Sequence, residues 1–343
     1  MTFQVKVAPS GHEFACEEGE TLLNAALRHG IGLPYGCKSG SCASCKGRVL
    51  EGSVQHNPHQ ERALPPDELA RGYALYCCAV PTSDLTIEAR EVDGLTDYPV
   101  KKLPTRVSRI ERVSEDVVVL HLQLPAVETF RYRAGQYIEF LLKDGKRRSY
   151  SMADAPRQEP AVSLHIRHLA GGLFTDHVFN QMKEREILRF EGPLGSFFLR
   201  EDSDKPMVLL ASGTGFAPIK AMVEDIIAKG IRRPMRLYWG GRRPQDLYMD
   251  GLARQWALEL PDFTYVPVIS DALPADGWNG RSGLVHQAVM ADLPDLSGWQ
   301  VYACGAPRMV DAARRDFSAL CRLPAEEFYA DAFISEADLS PAV

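Results

Sequence analysis

Cys37, Cys42 and Cys45, followed much later by the adjacent Cys77 and Cys78, are the side chains of this sequence best suited to chemistry. Their C-x4-C-x2-C spacing with one distant cysteine supplies four thiolates, the ligand pattern of a [2Fe-2S] cluster. Four cysteines also satisfy a tetrahedral structural zinc site, but such sites usually carry two short C-x2-C pairs, and only one is present. The loop Tyr35-Gly36-Cys37-Lys38-Ser39-Gly40-Ser41-Cys42 has to wrap closely around what the sulfurs hold, and Gly36 and Gly40 permit that approach. Backbone N–H groups aimed at the sulfurs would stabilise the extra negative charge of a reduced cluster. If the segment at Cys77 and Cys78 is extended, only one of the two faces the cluster.

The elements that must position these cysteines follow from periodicity. Residues 3–7 and 13–16 read as strands, and residues 21–28 as a helix with Leu23, Ala26 and Leu27 at helical spacing and Gly30 beyond its end. Residues 47–52 and 86–89 read as further short strands, completing an α+β domain of about 90 residues. The polar stretch 90–104, with Gly94 and Pro99, reads as a linker. From Arg106 onward the pattern becomes β-rich, with strands over 117–124 and 137–142, as in a small antiparallel barrel; a single helical piece covers 175–182. From Met207 strands and helices alternate, which predicts a parallel sheet with helices on both faces. The expected domains are 1–92, a linker over 93–101, 102–202 and 203–343.

Composition narrows the function. At 343 residues the chain suits two or three domains, and its 45% hydrophobic and 24% charged content are those of soluble globular proteins. No apolar run reaches the length of a membrane span, and the first residues alternate like a strand rather than forming a signal-peptide core. The expected setting is therefore the cytoplasm, away from membranes. Eight cysteines, four of them assigned to one cluster, fit a reducing compartment; Cys16 and Cys321 read as packed thiols. A net charge of −6 argues against nucleic-acid binding and fits electrostatic docking with another protein. His165 and His168 lie three apart on a strand, so they face opposite sides and read as no metal pair.

The cysteine loop and the segment Cys77-Cys78-Ala79-Val80-Pro81-Thr82-Ser83-Asp84 resemble the plant-type ferredoxin domain of bacterial flavin-dependent reductases. In that family segment the ligand lies four residues before a Pro and seven before an Asp, which selects Cys77 and leaves Cys78 as a small buried hydrophobe. Arg148-Ser149-Tyr150-Ser151, placed after Ala134-Gly135-Gln136-Tyr137, resembles the R-x-Y-S flavin motif of the ferredoxin-NADP reductase family. The resemblance implies FAD, with Arg148 on the pyrophosphate, Tyr150 stacked on the isoalloxazine, and Ser149 beside them. Ser151 would hydrogen-bond flavin N5. Gly171-Gly172-Leu173-Phe174-Thr175 matches the family segment that seats the pyrophosphate at a helix start, a site that takes anions on free N–H groups.

Gly213-Thr214-Gly215-Phe216-Ala217-Pro218 resembles the pyridine-nucleotide motif of the same family, with Pro218 where the dinucleotide fingerprint has its third glycine. Tyr302-Ala303-Cys304-Gly305-Ala306-Pro307 matches a segment that places Cys304 and Gly305 beside the nicotinamide, and Phe328-Tyr329-Ala330-Asp331-Ala332-Phe333 one that places Phe333 near the flavin. Arg242 and Arg243 follow Tyr238-Trp239-Gly240-Gly241, near where the adenosine ribose would lie, and their guanidinium groups suit the 2′-phosphate of NADPH. Reductases with this domain order mostly use NADH, the coenzyme expected here, with NADPH possible. The expected fold is a β-grasp ferredoxin domain, an antiparallel FAD barrel and a parallel-sheet nucleotide domain. The expected activity is electron transfer from NADH through FAD and a [2Fe-2S] cluster to a partner, by a monomer. That partner is a pyridoxamine-dependent sugar dehydrase, as for the CDP-6-deoxy-Δ3,4-glucoseen reductases, or an oxygenase component; the alternative is a stand-alone flavin or quinone reductase.

Overall fold

Val5 and Val7 are buried while Gln4 and Lys6 between them are exposed, the alternation that makes the first strand half of a core. The computed structural model describes residues 1–334 and divides into two units, Met1–Pro99 and Val100–Phe333. In the first unit β1 (Thr2–Ala8) and β2 (Glu13–Glu17) form a hairpin, followed by α1 (Leu22–Arg28), β3 (Lys46–Glu51), β4 (Val54–His56), α2 (Pro66–Ala70), β5 (Tyr73–Leu75), β6 (Ala79–Pro81) and β7 (Leu85–Glu88). The main sheet runs β2-β1-β7-β3-β5, with β1 and β7 parallel, and β4 and β6 make a separate pair. Thr21 caps α1 by accepting the Asn24 N–H at 3.4 Å, as its side-chain type favours. Tyr76 lies fully buried over Gly47, where a Cβ would collide with its ring, and its hydroxyl donates to Glu88 O at 2.7 Å and Arg48 O at 3.1 Å. That side chain ties the turn bearing Cys77 to β3 and β7.

The expected linker is shorter than 93–101. Val92 N–H donates to Gly32 O, Leu95 is buried and the Thr96 hydroxyl donates to Gly30 O, so the ferredoxin unit extends past residue 92. Its other end is already strand, because β8 (Lys101–Arg112) starts at Lys101.

The second unit has two layers of different kind. β8, β9 (Val117–Gln123), β10 (Tyr137–Leu141), β11 (Arg147–Ser151), β12 (Ala161–Arg167) and β13 (Ile187–Leu194) form an antiparallel sheet in the order β11-β10-β13-β8-β9-β12. A Met152–Leu164 bridge joins its two edges into a barrel. The barrel helix α3 (Leu173–Asn180) starts two residues before the expected 175. β14 (Met207–Ser212), α4 (Phe216–Lys229), β15 (Met235–Gly241), α5 (Asp250–Glu259), β16 (Phe263–Ile269), β17 (Arg281–Ser282), α6 (Val285–Asp292), β18 (Gln300–Gly305), α7 (Pro307–Leu320) and β19 (Phe328–Ala332) follow. Their parallel sheet runs β17-β16-β15-β14-β18-β19, with β14 and β18 adjacent at its centre.

Barrel and sheet are pinned to each other by polar side chains. His165 of β12 shares a 2.8 Å hydrogen bond with the Tyr248 hydroxyl, and burial pushes that imidazole down to about 3, so it is neutral. Lys220 of α4 donates to Ala153 O at 2.9 Å and pairs with Asp154 at 3.1 Å and Glu224 at 2.7 Å.

Tyr76→Phe removes the hydroxyl that two part-buried carbonyls share and is expected to destabilise the first unit by about 1 kcal/mol. Denaturant unfolding followed by the visible absorption of that unit checks it, since a change confined to the second unit's transition would refute the assignment.

Candidate functional site

The four sulfurs are brought together by a loop with an unusual backbone. Lys38 (φ 57), Ala43 (φ 60) and Gly40 (φ 69) are all left-handed, which is uncommon for non-glycine residues and coils the chain inward. The Cys37 N–H donates to Cys42 Sγ at 3.3 Å, and the Ser39 and Ser41 N–H groups donate to Cys37 Sγ at 3.4 Å each. The thiols form two pairs. Hydrogen bonding from Cys42 draws Cys37 down to about 6, and from Cys45, then Cys78, draws Cys77 down to about 3; Cys42 and Cys45 are pushed up in turn.

That pairing tests what the site fits. Among the described residues no three His, Cys, Asp or Glu side chains converge on a single metal ion, which a tetrahedral zinc site requires. Two cysteine pairs suit two irons, each taking two protein sulfurs and sharing two more, and N–H groups already face the sulfurs. Cys77 and Cys78 lie in a turn closed by Cys78 N–H to Leu75 O rather than in an extended segment. Cys78 Sγ lies 3.6 Å from Cys77 Sγ and turns toward Pro58 O, in the space left by Gly40.

In the barrel, strand alternation separates the flavin motif into two faces. Arg148 and Tyr150 stand opposite Phe140 and Ile138 of β10, and Tyr150 packs 5.4 Å from Phe174 in the first turn of α3. Gly171 (φ 79) and Gly172 lead into that helix, so the Tyr150 ring lies beside a helix start, a place that suits an anion, with Arg148 on the same strand face. Ser149 faces the other way and donates to Glu139 at 3.3 Å. The Thr175 hydroxyl is engaged in the loop itself, donating to Leu169 O at 2.9 Å and accepting the Leu169 N–H at 3.2 Å, so it shapes the turn rather than offering a free donor.

The nucleotide turn Gly213-Thr214-Gly215 leaves the end of β14 and enters α4, with Pro218 in the first turn of the helix, where its missing N–H costs little. Gly215 packs on the Cys304 carbonyl, and a side chain there would collide with it. The Arg167 guanidinium, from β12, lies 3.0 Å from where a Cβ on Gly213 would stand; its Nε is 3.1 Å from Asp116. Its buried Nε and Nη2 have no well-formed hydrogen bond. Arg242, with a 73% exposed side chain, projects from the end of β15, and Asp246 accepts the Arg242 and Arg243 N–H groups at 2.7 and 3.2 Å.

These elements meet at one point. The Ser151 hydroxyl donates to Asp331 Oδ2 at 3.3 Å, Asp331 stands beside Cys304 in the β18–β19 register, and the Phe333 N–H donates to Gly305 O at 2.8 Å. Burial, then the Asp331 charge, pushes the Cys304 thiol well up, so it is a neutral, space-filling group and no nucleophile. Asp331, Arg167 and Asp246 were not read as site residues. Asp331 did carry a signal, since it lies inside the segment Phe328-Tyr329-Ala330-Asp331-Ala332-Phe333 that the resemblance already singled out.

Three domain families match in sequence order: the 2Fe-2S iron-sulfur cluster binding domain over residues 5–82, the oxidoreductase FAD-binding domain over 104–199, and the oxidoreductase NAD-binding domain over 209–315. The CDP-6-deoxy-L-threo-D-glycero-4-hexulose-3-dehydrase reductase of Yersinia pseudotuberculosis is 41% identical over 97% of this chain and 99% of its own length. The chain belongs to the iron–sulfur flavoprotein reductases. Reductase component 1 of terephthalate 1,2-dioxygenase from Comamonas sp. is 34% identical over 97% of this chain and 98% of its own. The solved Amycolatopsis cytochrome P450 reductase GcoB superposes with a TM-score of 0.77 at 34% identity, covering 97% of this chain and 99% of that one. As an iron–sulfur flavoprotein reductase the chain is an NAD(P)H-dependent oxidoreductase, in which electrons pass from NADH through FAD and the [2Fe-2S] cluster to an acceptor protein.

Cys77→Ser is expected to lower iron content from about two per chain and to remove the cluster absorption, whereas Cys78→Ser keeps both; iron analysis with visible spectra decides, and equal loss in the two variants would make Cys78 a ligand. Arg167→Leu is expected to raise the KM for NADH about tenfold with kcat nearly unchanged, the pattern of lost uniform binding. Steady-state kinetics with ferricyanide as acceptor measure it.

Proposed function

We propose that this reductase supplies electrons to a pyridoxamine-dependent dehydrase acting on a nucleotide-linked deoxysugar, working as a cytoplasmic monomer. The observation that carries this reading is the 41% identity, over essentially full length on both sides, to a reductase named for such a dehydrase. The absence of any long apolar helix among the described residues is compatible with it.

The proposed division of labour follows the geometry. Cys37 and Cys42 hold one iron, Cys45 and Cys77 the other. Arg148 and the α3 start, through Gly171 and Gly172, neutralise the FAD pyrophosphate; Tyr150 lies against the ring system, Ser149 stiffens β11 through Glu139, and Thr175 holds the loop. Gly213, Thr214, Gly215 and Pro218 seat the NADH diphosphate, with Arg167 across the turn and Arg242 at the adenosine end. Gly305 allows close approach at the nicotinamide, Cys304 and Phe333 set its distance from the flavin, and Ser151, backed by Asp331, presents a hydroxyl to the flavin edge. When bound, FAD takes two electrons together and a [2Fe-2S] cluster carries one, so the pair turns a hydride donor into a one-electron source. The domain boundaries proposed are those read from the sequence, with the first unit extended through Thr96.

Mixing the holoenzyme with NADH, CDP-6-deoxy-L-threo-D-glycero-4-hexulose and a dehydrase that uses it tests the proposal. NADH consumption matched by a 3-deoxygenated sugar, lost in Cys77→Ser, is the expected result. Turnover only when a dioxygenase component replaces the dehydrase would assign the chain to an oxygenase system. Quinone or flavin reduction undiminished in Cys77→Ser, with no coupling to either partner, would make it a stand-alone reductase.

A further inference from the structure

Arg242 and Arg243, at the end of β15, are the residues whose chemistry points to a 2′-phosphate, yet the structure treats them very differently. Arg243 is engaged by Asp276, its Nε donating to Oδ2 at 2.7 Å and its Nη2 to Oδ1 at 2.5 Å, a fork-to-fork pair that uses the geometry a phosphate would use. The pair is largely sheltered, with side-chain exposures of 30% for Arg243 and 12% for Asp276. Asp276 is itself fixed, because Oδ2 also accepts the Leu273 N–H at 2.8 Å and Gly277 (φ 58) closes the turn behind it. Two further carboxylates act on Arg243, those of Asp246 and Asp271. Three acids therefore act on Arg243, and one of them, Asp246, also lies 3.6 Å from Arg167 Nη2.

We propose that Asp276 sets the coenzyme preference by occupying the guanidinium fork of Arg243, so that this latent phosphate-binding arginine is withheld and NADH is favoured over NADPH. The inference rests on the reading that the end of β15 receives the adenosine ribose. An acid that simply faced the ribose would add a repulsion and no more. Here the acid also occupies one of the two guanidinium forks that could receive the phosphate, leaving only the 73% exposed Arg242, so a single carboxylate acts twice on the same discrimination.

The test compares kcat/KM for NADH and NADPH, with ferricyanide as acceptor, in wild type, Asp276→Asn, and Asp276→Asn combined with Arg243→Ala. The amide keeps an oxygen for the Leu273 N–H but no longer holds the guanidinium by charge. Wild type is expected to prefer NADH by about tenfold or more, and Asp276→Asn to narrow that ratio by about tenfold, chiefly through the KM for NADPH. The double variant should lose the gain. No change of ratio in Asp276→Asn, or a gain that survives loss of Arg243, overturns the proposal. Should Asp276→Asn not fold, inhibition of wild-type NADH turnover by 5′-AMP and by adenosine 2′,5′-bisphosphate decides: the bisphosphate is expected to be about tenfold weaker, and equal or stronger inhibition overturns the proposal. Failure of the underlying reading looks different, because Arg242→Ala, at the same end of β15, would then leave the KM of both coenzymes unchanged.

Discussion

The turn after β14 lies directly on the backbone of Cys304 and Gly305. Gly215 meets the Cys304 carbonyl, and Gly305 in turn meets the hydroxyl and main chain of Ser212, so β14 and β18 lie close together at their carboxyl ends. Everything reactive in the second unit is placed from this contact. It sets the height of Cys304, the neighbouring strand β19 sets Asp331 beside it, and Asp331 reaches the Ser151 hydroxyl at the tip of a barrel strand. A methyl group at either glycine would push β14 and β18 apart and carry Cys304 and Asp331 away from Ser151.

The first unit follows a different constraint, that of directing N–H groups toward sulfur. Two left-handed non-glycine residues, Lys38 and Ala43, are a local cost in one short loop, set against the Tyr76 hydrogen bonds and the β4–β6 pair around it. The cysteines of the first unit thus come from a left-handed loop and a supported turn, whereas Ser151, Gly213 and Cys304 of the second lie at or within one residue of strand ends.

What the sequence made legible was local. Cys37, Cys42, Cys45 and the Gly213 turn announce themselves because their chemistry and their spacing lie within one loop. Asp331 and Ser151 are 180 residues apart, and no periodicity relates them. Arg167 and Asp276 look like ordinary charged residues until folding brings one over a glycine turn and the other onto an arginine. Helix α5 escaped notice because Gly251 stands in its first turn and only Ala253 and Trp256 are buried, too few for a stripe. Arg242 and Arg243 look alike in the sequence, and only tertiary structure shows the carboxylate of Asp276 that engages one of them.

The pairing of Cys45 with Cys77 joins the cluster loop to a turn that lies beyond β3, β4 and α2. Two irons bridging these pairs would act as a cross-link, restricting the unfolded chain much as a disulfide does. The small sheet of the first unit would then depend for its integrity on iron as much as on its own core. A cell short of iron would accumulate chains whose coenzyme-binding half is intact and whose exit for electrons is unfolded, so scarcity would silence the reductase by removing its outlet rather than its fuel.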